Sequence, residues 1–218
     1  MAKQIEETKR KNRKLSVRPI VIIVCDGEKT EPNYFNNFKQ QRHTALQIEI
    51  VSGCKNYRDI IKSAGIAETK YVTNTNTKYD VWCVSDVDTD IKTSSNQEAR
   101  NAQLKEYFEQ AEAKGFHIAL SNPCFELWYL LHFVYTTSEM LSYKEVEQKL
   151  STPAHIPNYD KRKDYFNILA EKMELAIKNA KKLKKFHVEQ GKTSLFDVTV
   201  NPYTNVWELV EFINTRKT

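Results

Sequence analysis

The residues best placed to do chemistry are Asp86, Asp88 and Asp90, at alternate positions near the end of V-W-C-V-S-D-V-D-T-D, residues 81–90. The segment opens as a short apolar run with β-branched and aromatic side chains, the pattern of a buried strand. Alternate residues of extended chain point the same way, so Asp86 and Asp88 can face one cation together. Carboxylate oxygen is what hard cations such as Mg²⁺ or Mn²⁺ take as ligand. The plainer reading is a solvated acidic turn. A second group, Asp26, Glu28 and Glu31, follows another apolar run, P-I-V-I-I-V-C, in D-G-E-K-T-E-P-N-Y-F. If the two strands are neighbours in a parallel sheet, Asp26 meets Asp86 and Asp88 at the strands' carboxyl ends, where open α/β sheets bind ligands. Divalent ions bridging such carboxylates hold a phosphodiester and activate water. Asp26 or Glu28 is then left to shuttle a proton. A plainer role for Glu28 and Glu31 is to favour a helix N-terminus, where negative charge is stabilised.

These acids need a sheet to bring them together, and the chain predicts one. Strands are expected over residues 19–25, 46–52, 81–90 and 116–120, with helices over 32–40, 57–73, 96–114 and 125–133. Asn56 is the expected cap of the second helix and Gly115 the stop of the third. The β-α-β-α-β-α-β-α order argues for a parallel sheet of about four strands covered by helices. Beyond residue 133 the strand pattern stops. Helices are expected over 142–150, 163–186 and 206–214, with a loop over 151–159 and a capping turn at Asn201, Pro202 and Thr204. The expected organisation is a basic arm over 1–17, an α/β core over 18–135 and a mainly helical extension over 136–218 packed on it.

Charge is unevenly spread along the 218 residues. Residues 1–18 carry a net +5 and residues 161–192 a net +6, leaving −6 over the rest against +5 overall. An acidic body with basic segments suggests a negatively charged partner. Lys161 and Arg162 precede the long helix, and Lys178, Lys181, Lys182 and Lys185 fall on one of its faces, the arrangement that contacts nucleic-acid phosphates. Tyr159, Tyr165 and Phe166 are placed to stack on bases. The plainer reading is a solvated face. Cys25, Cys54, Cys83 and Cys124 stand far apart with no C-x-x-C, which favours buried free thiols in a reducing cytoplasm. No run approaches the ~20 apolar residues of a membrane helix, and no apolar segment closely follows the charged N-terminus to form a signal peptide.

A third cluster, S-N-P-C-F-E-L-W-Y-L-L-H-F, follows the fourth strand. Glu126 is expected at the same sheet end as the other acids, as a further ligand or an orienting group. Asp90 and Glu31 are assigned the same supporting role. Phe125, Trp128 and Leu131 read as core, and His132 as a packed histidine.

Four ordered motifs, I-V-C-D-G-E-K-T-E-P-N-Y-F, V-S-D-V-D, S-N-P-C-F-E-L-W-Y-L-L-H-F and N-P-Y-T-N-V, resemble the RloB-like family from about residue 17 onward. That family is associated with bacterial phage-defence loci and related to Toprim-type nucleases. The resemblance implies a Toprim-like fold, with an acid after the first strand and a metal-binding D-x-D, mapped here onto Asp86 and Asp88. The first acid of the family is usually glutamate in C-E-G. Here it is Asp26, one methylene shorter, with Glu28 close by to compensate. The resulting expectation is a cytoplasmic Mg²⁺- or Mn²⁺-dependent nuclease acting on DNA or RNA, a tRNA included, in anti-phage defence. The chain has no G-x-x-x-x-G-K-[ST], so ATP hydrolysis would belong to a partner ATPase encoded nearby. The alternative is a binding or sensor subunit whose Toprim core is degenerate. A phosphatase of the haloacid dehalogenase type, suggested by D-V-D-T, ranks lower because that motif normally follows the first strand.

Overall fold

The computed structural model describes residues 18–40, 45–73, 76–87 and 97–216. The arm at 1–17 and the segment at 88–96 lie outside them. Strand β1 (Ile20–Cys25) is buried along its whole length. An apolar stretch of that kind belongs at the centre of a sheet, with helices on both faces. It has β2 (Gln47–Val51) on one side and β3 (Tyr79–Asp86) on the other, both parallel. Strand β4 (His117–Asn122) continues the parallel set beyond β3. The order is β2-β1-β3-β4-β5, and the short β5 (Tyr203–Thr204) runs antiparallel at the edge. The architecture is α/β, consistent with the Toprim-like expectation. The fifth strand is an addition, since N-P-Y-T was expected as a turn alone.

Alternation along β1 sorts the two layers. Val21, Ile23 and Cys25 face one cluster, with α1 (Thr30–Gln40), α4 (Glu126–Leu131), α7 (Met173–Glu189) and α8 (Val206–Asn214). Ile20, Ile22 and Val24 face the other, with α2 (Tyr57–Tyr71) and α3 (Gln97–Ala113). Helix α2 starts where its cap demands, with the Asn56 side chain accepting from Asp59 N. Helix α5 (Tyr143–Leu150) is capped in the same way by Ser142. The C-terminal helices share one apolar cluster with α1 and α4.

Three expectations are corrected. The long helix at 163–186 is two helices, α6 (Phe166–Ala170) and α7. Lys172, with φ −113 and ψ 10, leaves helical geometry between them. Ser121 and Asn122 do not break the chain. They are the last residues of β4, pairing with Thr204 and Tyr203. Asn201 is a buried bridge, donating to the Asn122 Oδ1 at 2.9 Å and the Met140 carbonyl at 2.7 Å. Only Thr204 keeps a capping role, its Oγ1 accepting from Val206 N. All four cysteines are buried and free. Among the described residues no helix is long and apolar enough to cross a membrane.

Candidate active site

The strand order reverses between β1 and β3, because the chain leaves β1 for β2 and returns past it to β3. Loops diverge at such a point and leave a crevice at the carboxyl ends. Asp26 and Asp86 stand there. Asp26 is the first residue after β1, and its own N–H donates to the Val84 carbonyl of β3. Its Oδ1 accepts from Gly27 N at 2.7 Å and its Oδ2 from Asp86 N at 3.0 Å. Hydrogen bonds to both oxygens fix the orientation of the carboxyl group.

Gly27 turns the chain from β1 into α1, and Glu31 in the first turn of that helix folds back over it. A β-carbon at Gly27 would collide with the Glu31 carboxyl. Glu31 is only 4% exposed. Burial, then the charge of Asp26, push its carboxyl well above the usual carboxylate range, and its side chain is hydrogen-bonded to Asp26. Glu31 is therefore no solvated cap residue. It is the inner partner of Asp26. Glu28 is exposed and lies over Gly53, whose φ of +82 lets the loop after β2 approach.

Glu126, the first residue of α4, is also 4% exposed. Its Oε1 accepts from the Thr30 hydroxyl at 2.9 Å and the Tyr159 hydroxyl at 3.0 Å. These donors hold the carboxylate beside Glu31, whose pKa it also helps raise. Glu28, Glu31, Asp86 and Glu126 line one cavity of about 330 Å³, together with Tyr143 and Lys161. The Lys161 ammonium sits 5.5 Å from the Tyr143 ring centroid, a cation held over an aromatic face.

Six expected site residues thus converge: Asp26, Glu28, Glu31, Asp86, Glu126 and Lys161. Asp88 and Asp90 lie outside the described residues. Arg162 does not join the site. It pairs with Asp160 at 2.7 Å. Lys178, Lys181, Lys182 and Lys185 are exposed on α7 and line no cavity with the acids among those described. Lys181 pairs with Glu211 at 2.6 Å, Lys182 lies 4.0 Å from the Tyr135 ring, and Lys185 is 3.6 Å from Glu189. The stacking role expected of Tyr159 and Phe166 is corrected. Both are 7% exposed, Tyr159 serving Glu126 and Phe166 packing edge-on against Phe38 in the aromatic core. His132 is packed as expected. Its Nδ1 lies 2.8 Å from the Trp128 carbonyl, and burial pulls its pKa down to about 4.

No sequence pattern marks the residues that fix the acids. Thr30 carries no signal beyond its place at a helix start, and Tyr159 is 33 residues from its partner. As a donor set, the carboxyl oxygens bordering the cavity are of the hard type that suits Mg²⁺ or Mn²⁺. Among the described residues, no three acidic, histidine or cysteine side chains are gathered to enclose an ion.

A family model described as RloB-like protein matches residues 21–213. No curated protein matches the chain. No solved structure matches it either.

Proposed function

This chain belongs to the RloB-like family, and from that premise we propose that it is a divalent-metal-dependent nuclease of anti-phage defence. The observation that carries the reading is the meeting of Asp26 and Asp86 at the switch point, beside a cavity bordered by Glu28, Glu31 and Glu126. Asp86 and Asp88 would hold Mg²⁺ or Mn²⁺. When bound, the ion would polarise a phosphodiester and lower the pKa of attacking water. Asp26 is held in place by two backbone N–H groups and keeps Glu31 beside it. Glu28, exposed at the rim, is the carboxylate free to take a proton from water. Lys161 Nζ offers the positive charge that a phosphate entering an acidic cavity needs.

The test is cleavage of DNA and RNA by the purified protein with Mg²⁺ or Mn²⁺. The expected result is metal-dependent cutting that EDTA abolishes and that Asp86→Asn lowers at least about 100-fold, the scale of losing one electrostatic contributor. Loss of plaque protection in cells carrying Asp86→Asn links the chemistry to defence. A partner ATPase would supply any nucleotide hydrolysis. The second reading is a degenerate binding or sensor subunit. It is favoured by the backbone engagement of both Asp26 oxygens. Nucleic-acid binding without cutting, and protection unaffected by Asp86→Asn, would select it.

A further inference from the structure

We infer that the ligand is an extended polynucleotide strand and that it runs from the acid crest along a groove between α2 and α3. The inference rests on the nuclease reading only for the location of the reacting phosphate. Asp86 borders two cavities, the acidic one of about 330 Å³ and a second of about 220 Å³ shared with Asp26, Lys55, Tyr57 and Arg100. Through Asn56, Tyr57 and Gln103 the second continues into a third of about 320 Å³, which Arg58, Glu106 and Gln110 border. A mononucleotide would need one such space. A row of cavities ending at the acids suits a polymer.

The chemistry of the groove is that of a phosphate track. Lys55, Arg58 and Arg100 border the two spaces together with three acids, Glu106 in the groove and Asp26 and Asp86 at its crest end. Arg58 and Glu106 meet at 3.5 Å, but their side chains are 81% and 48% exposed. An exposed pair of this kind contributes little, so a phosphate can displace the carboxylate. Asn56, Gln103 and Gln110 add neutral donors of the kind that contact sugar and phosphate. Tyr57 stiffens the wall. It stacks on Tyr107 at 4.5 Å and 11°, and its hydroxyl donates to the Asp86 carbonyl at 3.0 Å. The groove lies on the α2–α3 face of the sheet, whereas α7 packs on the other. The lysines of α7 are thus on the wrong side for this track.

The experiment is fluorescence anisotropy of short labelled single-stranded DNA and RNA oligonucleotides, with Ca²⁺ replacing Mg²⁺ to block cutting. Lys55→Glu with Arg58→Glu is expected to bind about tenfold more weakly or worse, with a salt slope lower by about two. The neutral pair Lys55→Gln and Arg58→Gln should weaken binding less, and it guards against a folding artefact. Lys178→Glu with Lys182→Glu should bind as wild type. Unchanged binding by the Lys55/Arg58 variants, a loss confined to the α7 variant, or no binding by wild type would each overturn the groove. A wild type that binds through Lys55 and Arg58 but never cuts supports the groove and sinks only the nuclease reading. A wild type that cuts while the Lys55/Arg58 variants bind normally sinks only the groove.

Discussion

The Asp26 carboxylate accepts a hydrogen bond from the Asp86 backbone N–H at 3.0 Å, so the acids after β1 and at the end of β3 are fixed to each other before any ligand arrives. The other Asp26 oxygen is engaged by Gly27 N at 2.7 Å. Asn offers one acceptor and turns an NH₂ toward the second donor. Asp26→Asn should therefore cost about 1–3 kcal/mol, the scale of a buried donor left unpaired. Urea unfolding measures it, and a midpoint equal to wild type would contradict the pairing.

Gly27→Ala should be harmful although its backbone needs no special φ. The added methyl meets the Glu31 carboxyl. Overpacking costs about 1–3 kcal/mol, and Glu31 must swing away from Asp26. Combining it with Glu31→Ala removes the obstacle, so the double variant is expected to recover melting temperature. A double variant as unstable as Gly27→Ala alone would show that the clash lies elsewhere.

Tyr159→Phe tests how the C-terminal part holds the site. It removes one of the two hydroxyls on Glu126 Oε1 and leaves Thr30. The expected loss is about 1.5–3 kcal/mol, the range for a hydrogen bond to a charged group. Thermal melting checks it, and an unchanged melt would mean that Thr30 alone suffices.

His132 should set part of the acid sensitivity. Its ordinary pKa of 6.5 falls to about 4 in the fold, chiefly through burial. A depressed histidine is neutral when folded and takes a proton more readily when unfolded. Stability is then present above pH 6.5 and lost as pH falls toward 4, by about 3 kcal/mol at most. His132→Leu should flatten that part of the pH–stability curve. A curve with the same slope would assign the sensitivity to other groups.

Much of this was legible in the sequence, for local reasons. Continuous apolar runs such as residues 20–25 have one home, the centre of a parallel sheet, and the acids after them must sit at its crest. The break before α7 was hidden because Phe166, Leu169 and Met173 keep helical spacing across it. Tyr159 and Thr30 were hidden because their partner is set by tertiary packing. For the lysines of α7, periodicity shows that a face is basic and not which side of the sheet it covers. Lys55, Arg58 and Arg100 are scattered in sequence and become a row only when α2 packs beside α3.

The most direct measurement of the central claim is calorimetric titration of the protein with Mn²⁺. Wild type should bind the ion saturably, and Asp86→Ala should lose that heat while keeping its melting temperature. Equal Mn²⁺ binding by wild type and Asp86→Ala, or none by wild type, would contradict a metal-holding crest.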